Sequence, residues 1–440
     1  MKKLTLVTIA VLSLLSGTAA IAQSTVTLYG LVDAGYNRVS GLRNGTVNTI
    51  ASGIMEGSRF GFKGNEDLGG GYKAIFTLEN RLELDTGGIS NRPNSGSQVP
   101  GRVETSVING VLASRLPLPA ATLGALVPAV VRGVNSSLAN SAFGVNVDTA
   151  GGRLFDRQAF AGLVTPVGAF TLGRQYTPAY FVTASFDASQ TQSSLAAGQV
   201  ATLPAAFDIR LSNTLQYGIQ LNGVTAALMY GAGEVAGNGS ANRFLGGMVM
   251  YKGDGFGLGY GHNEKTNEFG ERSLHNDVFG ASLNAGPGTF YAQYATIKDN
   301  NPSGISALGP GAAAAAIANG VPAALAPALT AAFQNAYNVA FRQDARLMHI
   351  GYRFTVGPHT VVTAFSRLDD KRAVNADTDS YGATYTYALS KRTNLNAVLT
   401  RFNNKGQGQA APGGNGFLGG VTAAPGVGST NVAFGVRHSF

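Results

Sequence analysis

Residues 379–391 read DSYGATYTYALSK, and the fold turns on which way these side chains face. Successive side chains of a β-strand point to opposite sides. Tyr381, Ala383, Tyr385, Tyr387 and Leu389 therefore share one face, and Ser380, Gly382, Thr384, Thr386 and Ser390 the other. A soluble sandwich alternates too, so the period alone does not name the solvent on the apolar face. The occupants do. Tyrosines near strand ends with smaller apolar residues between them match the aromatic girdles that flank the lipid band of a transmembrane barrel. GTFYAQYATIK at 288–298 repeats the arrangement, with Phe290, Ala292 and Tyr294 opposite Tyr291 and Gln293.

The pattern runs along the chain. Residues 26–36 set Val26, Leu28, Gly30, Val32, Ala34 and Tyr36 against Thr27, Tyr29, Leu31, Asp33 and Gly35. SRFGFKG at 58–64 alternates Arg59 and Lys63 with Phe60 and Phe62, and residues 72–85 set an apolar face against Lys73, Thr77, Glu79, Arg81, Glu83 and Asp85. Further strands are expected near 154–164, 168–176, 207–219, 223–232, 243–252, 255–264, 274–284, 288–298, 345–356, 359–369, 379–390, 392–402 and 430–440, about 16 in all. Segments of about ten residues suit tilted strands crossing hydrocarbon. Lipid offers no partner to a backbone amide, so such strands must close into a ring. TNVAFGVRHSF at 430–440 ends on Phe440 inside a strand pattern, as a closing strand would.

Short connections, Asn222-Gly223, GDG at 253–255 and AGPG at 285–288, alternate with long ones. Three loops are unusually long, about 86–152, 177–206 and 299–344, and the first and third are rich in Ala, Val, Leu and Pro. Loops of this size count against a compact soluble domain but are tolerated on the outer side of a membrane barrel. The expected fold is all-β, a 16-stranded antiparallel transmembrane β-barrel, with residues 23–440 as one unit.

Composition agrees. Of 440 residues only 13% are charged, against about 25% in an average soluble domain, while Gly reaches 60, Tyr 16 and Phe 23. With no Cys there is neither a disulfide nor a thiolate metal site. Lys2 and Lys3, the apolar run Leu4 to Leu15 and Ala20-Ile21-Ala22 read as a secretory signal peptide over residues 1–22, in preference to a transmembrane anchor. Its removal lowers the formal net charge from +8 to about +6. The remaining Lys and Arg are scattered singly, so no nucleic-acid partner is expected.

Enzymatic signatures are missing: there is no G-x-S-x-G, H-E-x-x-H or phosphate-binding loop. GAGEVA at 231–236 meets a nucleotide pattern only nominally, with no helix expected after it. His262, His275, His349, His359 and His438 are dispersed without metal-ligand spacing. No enzyme activity, cofactor or metal is expected. Two rival readings are an outer-membrane hydrolase, drawing on His275 with Ser273 or on His349, and a non-conducting surface adhesin.

STVTLYGLVDAGY, GSRFGFKGNEDLGGGYKAIFTLEN, LFDRQAFAGL, FTLGRQYTP and the terminal Phe together resemble the general, non-specific trimeric porins of Gram-negative outer membranes, most closely their β-proteobacterial branch. That resemblance implies a homotrimer in outer-membrane lipid, each barrel holding a water-filled pore for small hydrophilic solutes and ions. It also implies a loop, about 177–206, folded inward against basic wall residues. By motif the wall arginines fall on Arg59, Arg157 and Arg210. The acidic groups of the loop are Asp187 and Asp208, fewer than the family pattern would supply, and PEFGG is absent. Loops 86–152 and 299–344 are longer than the family's connections.

From the residues themselves, Arg59, Lys63, Arg81, Arg157 and Arg210 lie on the polar faces of their strands and are candidates for the pore wall. Arg174 is a further wall candidate, but it shares the face of Phe170 and Leu172, which would aim it at lipid, so to line the pore it must lie beyond the strand end. Cations facing anions across a narrow pore set up a transverse field that sorts ions by sign. The wall cations outnumber Asp33, Asp187, Asp208 and Glu79, so a mild anion preference is expected.

Overall fold

The computed structural model describes residues 24–42, 45–88, 113–114, 119–124, 154–200, 209–306, 308–318, 320–373, 375–412 and 422–440. The leader expected at 1–22, Asp208 and most of the 86–152 loop lie outside them. In chain order the first strand segments are β1 (Thr25–Leu42), β2 (Gly45–Ser52), β3 (Arg59–Gly69), β4 (Tyr72–Arg81), β5 (Gln158–Thr165), β6 (Gly168–Tyr176), β7 (Arg210–Leu221) and β8 (Val224–Gly231). They continue as β9 (Phe244–Lys252), β10 (Phe256–Thr266), β11 (Arg272–Ala285), β12 (Gly288–Asp299), β13 (Gln343–Val356), β14 (His359–Asp370), β15 (Thr378–Ala388), β16 (Thr393–Asn404) and β17 (Ser429–Ser439).

Each segment pairs antiparallel with its neighbours, and β1 pairs with β17, so the sheet closes on itself. Seventeen segments make sixteen staves because β2 and β3 are two halves of one strand. β1 pairs with β2 from Ala34 to Leu42 and with β3 from Thr25 to Leu31. Residues 53–58 interrupt that strand. They are held by Asp33, whose carboxylate accepts the backbone N–H groups of Ile54 (3.1 Å), Met55 (2.9 Å) and Glu56 (2.9 Å). At the seam the Gly30 N–H donates to the Phe440 carbonyl at 3.1 Å and the Phe440 N–H to that of Gly30 at 3.0 Å. A Cβ at residue 30 would strike the Phe440 ring, so glycine is needed where the last residue lands.

The outside of the ring is apolar. Leu28, Leu228, Leu258, Phe279, Ile350, Leu399 and Phe434 are exposed, as are Tyr251, Tyr260, Tyr294, Tyr381 and Tyr385. In water, a patch of this extent would forfeit about 25 cal/mol for every Å² left uncovered. Lipid is the solvent that makes it stable. Phe62 belongs to this surface, whereas Ser380 and Thr384 turn inward and are buried.

The long Ala-rich loop carries two helices of its own, Leu308–Ala318 and Ala326–Phe341. Ala312, Ala316, Leu329, Phe333 and Tyr337 form a small core between them, joined by Leu123 from the first long loop.

Candidate functional site

The loop after β6 opens with helix α1 (Pro178–Phe186), whose Pro178 sits at the first helical position, where φ is already set and no N–H is needed. Ala179, Phe181, Val182 and Phe186 are buried against Met248, Met250, Val278 and Ile297 on the inner wall. The wall makes room with glycine: a Cβ on Gly259 or Gly280 would collide with the Phe186 ring, and one on Gly261 would lie 2.9 Å from Val182. Gly257, Gly259 and Gly261 alternate along β10, leaving its inner face smooth where the helix lies.

Polar bonds carry the loop further around the ring. The Ala179 N–H donates to Asn263 (3.1 Å), and Gln293 donates to the Thr183 carbonyl (3.0 Å). The Ala188 N–H donates to His349 Nε2 (3.1 Å), Arg353 to the Ser189 carbonyl (3.1 Å), and Gln190 to the Tyr291 hydroxyl (2.6 Å). Ser194 reaches Thr400 (3.0 Å) and Asn431 (2.8 Å). Asp187 sits in the loop as expected, but its carboxylate is enclosed, accepting from the N–H and hydroxyl of Ser189 and from the Ala197 N–H. It braces the loop's own turn.

About half a ring away in strand order, the arginines assemble. Arg157 contacts Glu79 at 2.7 Å, and Glu79 lies 3.7 Å from Arg59. Arg59 is 3.5 Å from Glu56, and Glu56 is 3.1 Å from Arg437. The chain Arg157–Glu79–Arg59–Glu56–Arg437 thus alternates in sign from β4 to β17. Arg210 joins through the Tyr176 hydroxyl, which accepts from Arg157 at 2.8 Å and from Arg210 at 2.9 Å. The Arg210 guanidinium also lies over the Tyr176 ring, 4.5 Å from its centre. Tyr180 of α1 stacks on the same ring at 5.2 Å, tying the loop's base to the arginines. Burial first, and then Tyr176 beside it, push the Tyr180 phenol up to about 12, so the stacked ring is neutral.

The two ends of the chain differ in access. The Arg59 and Arg437 side chains are 20% and 17% exposed, the two glutamates 6% each and Arg157 4%. Within this chain the groups most open to the lumen are therefore cationic.

The other sequence candidates have different partners, although Arg81 stands directly across from Arg59 in the β3–β4 register. Arg81 is buried, its Nε 2.9 Å from Glu83 and its backbone N–H donating to Asp156. Lys63 is exposed, 5.3 Å from the centre of the Tyr29 ring. Four residues of strand place it roughly 13 Å from the level of Arg59. Arg174 is a correction. It lies within β6, not beyond its end, and is buried, donating to the Asp156 carbonyl (2.6 Å) and to Ser212 (3.1 Å). The β6–β7 register shifts between Gly173 and Gln175, and Gly173 has φ +133°. The extra residue lies on β7, where Asn213 has φ +60°, while the β5–β6 register runs unbroken to the Ala159–Arg174 pair.

Glu56 and Arg437 were not singled out from sequence. Glu56 gives no periodic signal because it belongs to the interruption, but the inward parity of Arg437, opposite Phe434 and Val436, was available. As for a Ser/His pair, Ser273 bonds to Asp299, while His349 bonds to Ser366 at 2.8 Å and both of those side chains are buried.

A closed, lipid-faced barrel with a charged interior crossed by a packed loop defines a transmembrane barrel of the porin type. The Gram-negative porin family profile matches residues 8–407, and the chain belongs to that family. Its place is the outer membrane. The chain is 44% identical over 68 residues to the major outer membrane protein P.IB of Neisseria meningitidis, a match covering 14% of this chain and 20% of that one. It spans about a fifth to a quarter of the length of the curated relatives it matches. Among solved structures, an anion-selective porin from Comamonas acidovorans superposes with TM-score 0.62 at 22% identity, covering 95% of this chain and 100% of that one. The trimer form of OmpT of Vibrio cholerae gives 0.53 at 12% identity, covering 95% and 99%.

Proposed function

We propose that the protein forms a water-filled channel through which small hydrophilic solutes and ions diffuse, with a mild preference for anions, and that it works as a homotrimer. The constriction in this reading lies between the loop beginning with α1 and the wall that carries Arg59, Arg157, Arg210 and Arg437. The observation that carries it is the asymmetry of access: two arginines reach the lumen while their glutamate partners are enclosed. Asp33 and Asp187 are enclosed as well. An anion passing the wall meets guanidinium groups, and a cation meets no carboxylate of comparable reach among the described residues of this wall.

Arg81 and Arg174 brace the wall around Asp156, and Lys63 belongs to the lumen nearer the short turn. The trimer is favoured by the family and by the solved trimer of similar fold. In planar bilayers the protein is expected to insert with large conductance steps in groups of three, and in a salt gradient its reversal potential takes the sign of anion preference. Absence of conductance from heat-modifiable, membrane-inserted protein would overturn the channel reading. Unheated protein migrating as a monomer would overturn the trimer.

A further inference from the structure

The loop is held to the inner wall by many polar bonds, and one of those described depends on an imidazole, which changes from acceptor to donor when it takes up a proton. His349, on β13, is 3% exposed and lies beneath the loop residues that follow α1. Its Nε2 is 3.1 Å from the Ala188 nitrogen, and its Nδ1 is 2.8 Å from Ser366 Oγ. A backbone N–H can only donate, so Nε2 must be the bare nitrogen, and Nδ1 carries the proton and donates to Ser366. The imidazolium has donors on both nitrogens. Protonation would turn the bond to Ala188 into two N–H groups pointing at each other.

We propose that His349 is a pH-sensitive latch: neutral, it fastens the loop at Ala188 to the barrel wall, and protonated in acid, it releases that point of the loop. The proposal rests on the reading of this loop as the constriction.

The surroundings favour release over rearrangement. Asp187, the carboxylate beside the ring, already accepts from the Ser189 N–H and hydroxyl and from the Ala197 N–H, so it has little capacity left to capture an imidazolium. Arg353, farther along β13, donates to the Ser189 carbonyl and opposes a second positive charge at this place. On β12, Gln293, paired with His349, is engaged by the Thr183 carbonyl, and Tyr291 is engaged by Gln190. On β14 the facing group is Ser366, which is uncharged. No other bond between the loop and this part of the wall depends on a group that titrates between pH 5 and 8, among the described residues.

The test compares wild type with His349→Gln and His349→Leu, all reconstituted as full chains. Hydrogen exchange of peptides covering residues 181–195 is followed at pH 7.5 and pH 5, corrected for the intrinsic pH dependence of exchange. Open-channel noise is recorded in parallel. In wild type, exchange at and beside Ala188 is expected to rise ~tenfold at pH 5, the loss of about one buried hydrogen bond. Gln offers an amide oxygen at any pH, so its variant should remain protected at both. Leu offers no acceptor, so its variant should be loose at both. A wild type equally protected at both pH values, or a Gln variant that loosens in acid as wild type does, overturns the latch. Acid loosening without any change in noise supports the latch and counts against the loop as the constriction, so the two readings fail separately.

Discussion

Removing the two accessible arginines should reverse the sign of the channel's selectivity. Around the lumen at this level, among the described residues, Arg59, Arg81, Arg157, Arg174, Arg210, Arg353 and Arg437 stand against Asp33, Glu56, Glu79, Glu83, Asp156 and Asp187, an excess of one positive charge. Arg59→Ser with Arg437→Ser turns that excess into a deficit of one. For an ion passing at ~7 Å through water, one unit charge is worth about 0.6 kcal/mol, and screening at 0.1 M salt roughly halves it. An energy of about 0.3 kcal/mol raises one ion and lowers its counter-ion by about 1.6-fold each, which changes their ratio by about 2.7-fold per charge. The wild-type channel should then favour anions by about that factor, and the double variant should favour cations by the same factor, a change of about sevenfold. The reversal potential of KCl across a tenfold gradient in planar bilayers measures this directly. A double variant that folds, conducts and keeps the wild-type reversal potential would refute the placement of the selective region at these residues. Arg59 and Arg437 are the informative pair because, of the arginines in the ion-pair chain, they are the ones most open to the lumen.

Arg157→Ser is the contrasting case: it strips Glu79 of its 2.7 Å partner in an enclosed site and should cost about 3 kcal/mol of stability, seen as an earlier thermal transition, and an unchanged transition would mean that Glu79 is better solvated than it looks. Gly280→Leu drives a side chain into the position of the Phe186 ring, so α1 must lift from the wall; proteolysis of the loop should accelerate and conductance should change, while identical digestion would count against the packing. Deleting Phe440 removes both hydrogen bonds to Gly30 at the seam and should lower the yield of heat-modifiable barrel severalfold on gels, and full assembly of the truncated chain would show that the seam closes without it.

The ring was legible because the membrane imposes a strict two-sided solvent problem. Lipid outside and polar lumen inside leave a period of two on every stave, and DSYGATYTYALSK displays it without ambiguity. The interruption at 53–58 was not legible, since Asp33 gathers its amides across chain neighbours rather than along a strand, and nothing periodic marks Glu56 as a lumen carboxylate. Arg174 was misplaced for a related reason: it lies inside β6, not beyond its end, and its burial against Asp156 and Ser212 depends on neighbouring segments that alternation along one strand does not show. Asp187 could be placed in the loop from sequence, but its enclosure by Ser189 and Ala197 is a property of the folded turn. Arg59, Arg157 and Arg210, named from motifs, come together in space. What joins them, Glu79 with Tyr176, emerges only when neighbouring staves are paired.

The seam between Gly30 and Phe440 also governs the order of events during assembly. The first strand and the last are neighbours in space but nearly the whole chain apart in sequence, so this contact has the longest loop to close. Until it forms, β1 and β17 present two unpaired edges with apolar outer faces, the combination that invites pairing with another chain. No shorter fragment of the sheet can escape that hazard, because every partial ring still has two edges. Folding of this protein should therefore be slow, all-or-none at its last step, and sensitive to concentration before it.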